Sequence, residues 1–125
     1  MIKINYNKVI LKTQDDVFVY PIGDLHIGHI NCDLNFIQNY LNTIKQTDEE
    51  SNRVLLMGDL LDCGLKDSIG GSVYENILTP QEQIEVIVNI LKPIANRIDG
   101  YVQGNHEYRI YKNTGIDVCK NVCRI

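Results

Sequence analysis

No apolar run in this sequence approaches the roughly 20 residues that a membrane-spanning helix requires. The opening Met1-Ile2-Lys3-Ile4-Asn5-Tyr6 lacks a signal-peptide core. Basic charge is not in excess either: 12 Lys and Arg stand against 16 Asp and Glu, a formal charge of -4. That balance argues against a surface built mainly to grip nucleic acid or an anionic membrane, but does not exclude a phosphate-bearing substrate held by metal ions in one cleft. Cysteine is scarce and scattered, since Cys32, Cys63, Cys119 and Cys123 form no C-x-x-C pair. Reduced, buried thiols are expected rather than a disulfide framework or a zinc knot. These absences predict a soluble, cytoplasmic protein with no membrane partner.

Internal repeats, low-complexity tracts and Pro/Gly/Ser linkers are also missing, so a single domain is expected over residues 1–125. At 44% hydrophobic and 22% charged residues the composition is ordinary globular usage, which argues against disorder or a fibrous repeat. The length suffices for a real core without staples. Neither a Walker A loop nor a G-x-G-x-x-G turn follows any candidate strand, so a plain nucleotide-binding domain is a poor reading.

What the chain does contain is an alternation of extended apolar runs and helical patterns. Val9-Ile10-Leu11 and Val17-Phe18-Val19-Tyr20 are β-type, separated by Thr13-Gln14-Asp15-Asp16, so a β-hairpin is expected first. Pro21 has no N–H to donate and belongs at a strand edge, a bulge or the last paired position. Leu34, Ile37, Tyr40, Leu41 and Ile44 recur at helical spacing and predict an amphipathic helix from Asp33 to Gln46. Arg53-Val54-Leu55-Leu56-Met57 is a short continuous apolar run, expected as a strand covered on both faces. Thr79-Pro80-Gln81-Glu82 announces a helix with a capping box and proline in its first turn. Ile84, Ile87, Val88, Leu91, Ile94 and Ile98 supply its apolar stripe, with Pro93 kinking it or ending its regular part. Asp99-Gly100 is expected to close it, and Tyr101-Val102-Gln103 to form the last strand. The fold class is therefore α/β: a β-hairpin, then α-β-α-β, with a mostly parallel sheet and right-handed crossovers.

Each strand runs straight into chemistry. The first leads to Gly23-Asp24-Leu25-His26-Ile27-Gly28-His29, the second to Gly58-Asp59-Leu60-Leu61-Asp62, the third to Gly104-Asn105-His106-Glu107. The carboxyl ends of strands in open α/β sheets line the ligand crevice. Neighbouring strands would bring Asp24, His26, Asp59 and Asn105 together there, with the glycines allowing sharp turns and close approach. Oxygen donors combined with imidazole suit Mn²⁺, Fe, Co²⁺ or Zn²⁺. Two such ions about 3.5–4 Å apart would offset carboxylate repulsion and clamp the attacking and leaving oxygens of a phosphoester. Each motif alone has an ordinary reading as a capping acid, a polar loop or a turn. The metal reading rests on their recurrence, in order, after three strands.

These motifs resemble the calcineurin-like metallophosphoesterase superfamily, whose signature opens with D-x-H, continues with G-D-x-x-D/N and then has G-N-H-D/E. The resemblance implies an αββα sandwich with two divalent metal ions at its edge, manganese first among them. It implies that Asp24 and His26 bind one metal, that Asp59 bridges both and that Asn105 binds the second. His106 would be the catalytic group beside the leaving oxygen, with Asp62 hydrogen-bonded to its imidazole, and Glu107 would support the ligands. In the superfamily's protein phosphatases an arginine follows the residue equivalent to Asp62. Here that position is Cys63, which disfavours that branch. The Asp-Leu-His-Ile-Gly-His stretch looks more like DNA-repair nucleases and related small phosphoesterases, many of them phage-encoded. His29 would face the substrate there, or be a solvent-exposed loop residue.

The family pattern continues with a further lone His and a G-H-x-H motif, whereas this sequence has only His26, His29 and His106. The resemblance thus covers the N-terminal, metal-binding half of the family domain. A natural fragment, a split gene product or an engineered truncation is expected, with a missing C-terminal half or self-association covering a bare sheet face. The expected function is metal-dependent hydrolysis of phosphomono- or phosphodiesters, with a phosphoester, nucleotide or nucleic acid as substrate. The alternative is an inactive remnant or split-protein interaction module that binds metal weakly. Tyr101, Tyr108 and Tyr111 with Arg109 and Lys112 could contact a nucleic acid, although packing and solvation are the ordinary reading.

Overall fold

A computed structural model of the chain describes residues 8–12, 16–65 and 76–124. Its elements are β1 (Phe18–Ile22), α1 (Leu34–Lys45), β2 (Asn52–Leu56), α2 (Pro80–Leu91), a 3-10 turn (Lys92–Arg97), β3 (Ile98–Tyr101), α3 (Asn105–Thr114) and α4 (Val118–Arg124). The strands form one parallel sheet in the order β1-β2-β3. The α/β class with a parallel sheet is as the alternation predicts.

The strand order makes two steps in the same direction, and crossovers of the usual right hand put both connecting helices on one face of the sheet. That face is the core, where Ile22, Val54 and Leu56 meet Ile37, Leu41 and Ile44 of α1 and Ile84, Ile87 and Leu91 of α2. The helix ends follow the sequence signals. Asp33 caps α1 by accepting from Phe36 N at 2.9 Å. Thr79 and Glu82 cap α2 reciprocally, with Pro80 in the first turn. Arg97, almost fully buried, donates to Thr47 Oγ1 and to the carbonyls of Lys45, Thr47 and Asp48, tying the 3-10 turn to the end of α1. No helix among the described residues is long and apolar enough to cross a membrane.

The structure corrects four details. The first arm of the expected hairpin is not a strand: residues 8–12 carry no strand structure, and Val9 and Ile10 are exposed. Three residues of the expected turn, Thr13, Gln14 and Asp15, lie outside the described residues. The physical reason is visible in β1. Phe18 N donates to Ser51 and Ile22 O accepts from Met57, so by alternation the nitrogen of Pro21 faces the free edge, where a hairpin partner would need a donor. Second, β2 is covered on one face only. Leu55 is 38% and Met57 51% exposed, alongside Val19 at 52% and Val102 at 58%, which is the face both crossovers leave bare. Third, the regular helix ends at Leu91, as Pro93 predicts, but β3 begins at Ile98. Asp99 does not close a helix; its carboxylate takes both Nε and Nη2 of Arg53 on the neighbouring strand. Fourth, among the cysteines Cys63 alone is buried; Cys32 and Cys119 are half-buried and Cys123 is exposed, all as free thiols.

Candidate metal centre

Parallel pairing continues past the strands. Asp24 N donates to Gly58 O and His26 N to Asp59 O, both at 3.1 Å, and Ile27 N donates to Leu60 O at 2.9 Å. The loops after β1 and β2 therefore run side by side at the carboxyl edge of the sheet, where open α/β sheets take ligands.

The backbone is strained at the same place. Asp24, His26, Asp59 and Cys63 have φ values of 53°, 49°, 50° and 48°. This left-handed region costs a residue bearing a Cβ about 1–2 kcal/mol. Such conformations persist where the surroundings over-determine them, and they cluster at ligand sites. The expectation that the strand-end glycines supply the sharp turns holds only for Gly58, at φ 89°. After β1 the left-handed position is Asp24, not Gly23. Gly104 serves close approach instead: a Cβ there would lie 2.1 Å from Asp59 Oδ1, and one on Gly58 would lie 2.7 Å from Gly104 Cα.

A single carboxylate holds these turns. Glu107 is fully buried; its Oε1 accepts from Leu60 N at 2.7 Å, Leu61 N at 3.1 Å and Tyr101 Oη at 3.1 Å. Its Oε2 accepts from Asp59 N at 2.9 Å and Gly104 N at 3.1 Å. Asp59 answers from the other side, its Oδ1 accepting from His106 N at 2.9 Å. Gly104 has no side chain to cap α3, and a carboxylate from β2's loop fills that place, where the helix dipole favours negative charge. Burial pushes the Cys63 thiol up to about 12, helped by the nearby Glu107 and Asp62 carboxylates. Cys63 is therefore an inert thiol.

His26, Asp59 and His106 each offer a ligand atom, and these atoms lie within 4.8 Å of one another. Two ligands of one cation at bond lengths of about 2.0–2.2 Å sit at most about 4.4 Å apart, so small side-chain rotations close the gap. Asp24, its side chain 86% exposed, reaches 3.9 Å from His26 Nε2, a span that one cation can bridge. The other nitrogen of each imidazole is engaged. His26 Nδ1 lies 3.1 Å from Asp62 Oδ1, and His106 Nδ1 lies 2.6 Å from the Asp62 carbonyl oxygen. A carbonyl only accepts, so His106 Nδ1 carries the proton and its Nε2 presents a lone pair. An imidazole whose second nitrogen donates to a carboxylate or carbonyl is the usual arrangement of a metal-ligating histidine. The donor set fits a divalent cation.

Of the residues singled out in the sequence, the fold brings His26, Asp59 and His106 together, sets Asp24 beside them and buries Asp62 beneath. Asn105 reaches the same edge as the first residue of α3 but is exposed, and no hydrogen bond ties its side chain to the group. The Asp62 carboxylate hydrogen-bonds His26 rather than His106, from whose Nδ1 it stands at 3.4 Å; the tie to His106 comes from the Asp62 backbone. A cavity of about 400 Å³ opens over Asp24, His26, Asp62 and His106, lined also by His29 and Cys32. His29 is half-buried, its Nδ1 accepting from Asn31 N at 3.1 Å. A hollow of about 450 Å³ between α2, β3 and α4 is mostly apolar and gathers no comparable donors.

Sequence reasoning missed Asn76 and Gln83. Asn76 Nδ2 donates to Asp62 Oδ2 at 2.7 Å, and Gln83 is fully buried within hydrogen-bonding distance of Asn76. The available signal was periodicity, because Gln83 falls in line with Ile87 and Leu91, a polar residue on an apolar stripe. Tyr108 and Tyr111 are exposed, with ring centroids 6.1 Å apart, on α3. Comparison with protein-family models, with curated proteins and with solved structures returns no match.

Proposed function

We propose that this chain carries the metal-binding site of a phosphoester hydrolase, with His26, Asp59 and His106 as core ligands and Asp24 completing the set. The observation that supports the reading is the convergence of three donors from three strand ends, two of them on left-handed backbone. Divalent cations in such a site lower the pKa of bound water and neutralise charge on a phosphoryl group. The chain's own residues orient and hold. Asp62 fixes both imidazoles, Glu107 fixes the loop bearing Asp59, and the cavity wall at His29 and Cys32 bounds the space for a substrate. His106, with its proton held on Nδ1 by the Asp62 carbonyl, would offer its Nε2 lone pair to the cation, and as a ligand it would not also be the proton donor to the departing oxygen that the motif resemblance implies. Asn105, one residue earlier at the same edge, would be the oxygen donor to a second cation, as the motif resemblance implies.

The test is direct. Purified chain titrated with Mn²⁺, followed by electron paramagnetic resonance, should take up the ion. It should then hydrolyse a bis-aryl phosphate only in its presence, alone or with a complementing partner. Asp59→Asn should abolish both. Absence of Mn²⁺ uptake by the wild-type chain, or hydrolysis unaffected by Asp59→Asn, overturns the reading.

A further inference from the structure

We infer that Asn76 and Gln83 are positioning residues that dictate which nitrogen His26 offers to a ligand. The argument runs from groups whose polarity is not in question. Gln83 Oε1 accepts from Cys63 N at 2.9 Å, and its Nε2 donates to the Leu78 carbonyl at 2.9 Å. A backbone N–H can only donate and a carbonyl can only accept, so the Gln83 amide has one permitted orientation. Its Nε2 then donates to Asn76 Oδ1 at 2.7 Å, an oxygen that also accepts from Gly64 N at 3.2 Å. The orientation of Asn76 is fixed in turn, and its Nδ2 must point at Asp62 Oδ2. With that oxygen occupied by a donor, the Asp62 carboxylate presents Oδ1 to His26 Nδ1. His26 therefore keeps its proton on Nδ1, leaving the Nε2 lone pair on the side of Asp24.

Hydrogen-bond direction thus passes from two backbone groups through two amides and a carboxylate to an imidazole. Gln83 is fully buried and Asp62 is 3% exposed, so water competes little for these bonds and reversing any amide would set like groups against each other. The arrangement explains why a glutamine occupies an otherwise apolar stripe of α2. It rests on the proposed metal reading only for its purpose; the tautomer follows from the hydrogen bonds alone.

Two measurements test it. In metal-free wild-type chain labelled with ¹⁵N-histidine, at about pH 8.5 where ordinary imidazoles are neutral, His26 should show a pyrrole-type Nδ1 and a pyridine-type Nε2. The opposite assignment overturns the inference, whether or not any variant folds. Asn76→Asp removes the donor to Asp62 while keeping the acceptor; Gln83→Glu keeps the acceptor for Cys63 N and loses the donor to Asn76. Either should mix the His26 tautomers and weaken Mn²⁺ binding by about 10- to 100-fold, the usual effect of losing a group that orients a ligand. A variant with a lowered melting temperature but wild-type tautomer and Mn²⁺ affinity would reduce both residues to structural ones and refute the proposal. Should the wild-type chain take up no Mn²⁺, the metal reading falls while the imidazole resonances still decide this one.

Discussion

Replacing Glu107 by glutamine should destabilise the chain by about 3 kcal/mol. The carboxylate accepts five hydrogen bonds, three at Oε1 and two at Oε2. Glutamine retains one oxygen, and its best rotamer keeps the Leu60, Leu61 and Tyr101 donors there. Its NH₂ then opposes the amides of Asp59 and Gly104, donor against donor. Each lost bond to a charged acceptor is worth about 1.5–3 kcal/mol, and relief from burying a charge offsets part of the total, hence the low end for two. A loss of that size is a large share of the roughly 5–15 kcal/mol that holds a small domain together. At about 4 °C per kcal/mol for a chain of this length, the melting temperature should fall by about 12 °C. Urea unfolding followed by circular dichroism, with the slope unchanged, gives the number. A loss below about 0.5 kcal/mol, the range of an ordinary surface substitution, would refute the claim that this carboxylate holds both loops.

Alkaline conditions should also weaken the fold. Burial pushes the thiols of Cys63 and Cys119 up to about 12, so above about pH 9 the unfolded chain releases protons that the folded chain retains. Stability is then fully present below about pH 9 and declines toward pH 12. Urea midpoints at pH 8 and 10.5 should differ more for wild type than for a Cys63→Ala, Cys119→Ala double variant, and equal differences would contradict the assignment. At Asp24 the sign is opposite to the usual one. Asp24→Gly relieves a left-handed residue whose side chain is 86% exposed, so stability should hold or rise by about 1 kcal/mol while Mn²⁺ affinity falls. A clear destabilisation in the same urea assay would show that the aspartate is structural.

The parts of this fold legible in the sequence are those set by local rules. Asp33 and the Thr79/Glu82 pair mark helix starts because capping is decided within one turn, and Pro93 marks a helix end because it lacks an N–H. That Asp24, His26, Asp59 and Asn105 would reach one edge was legible as well, since a parallel sheet puts every strand's carboxyl end there; that His106 rather than Asn105 would stand with His26 and Asp59 was not. What escaped is non-local. Nothing near Asp59 announces that its backbone is left-handed, because the carboxylate that stabilises the turn is Glu107, 48 residues away. Asp62 looked like the partner of His106 by analogy, but its carboxylate turns to His26 because the Asp62 carbonyl already occupies the His106 ring. The hairpin failed for a reason present in the sequence, Pro21, whose facing depends on strand register that local patterns do not fix.

His106 and Glu107 ride on one helix of ten residues, Asn105–Thr114, whose leading turn is stitched to the second loop by side chains alone. An excursion of that helix removes an imidazole and the anchor of Asp59 in the same event. The residence time of any ion captured here is thereby bounded by how often this short helix breathes, and amide exchange along it would set the clock.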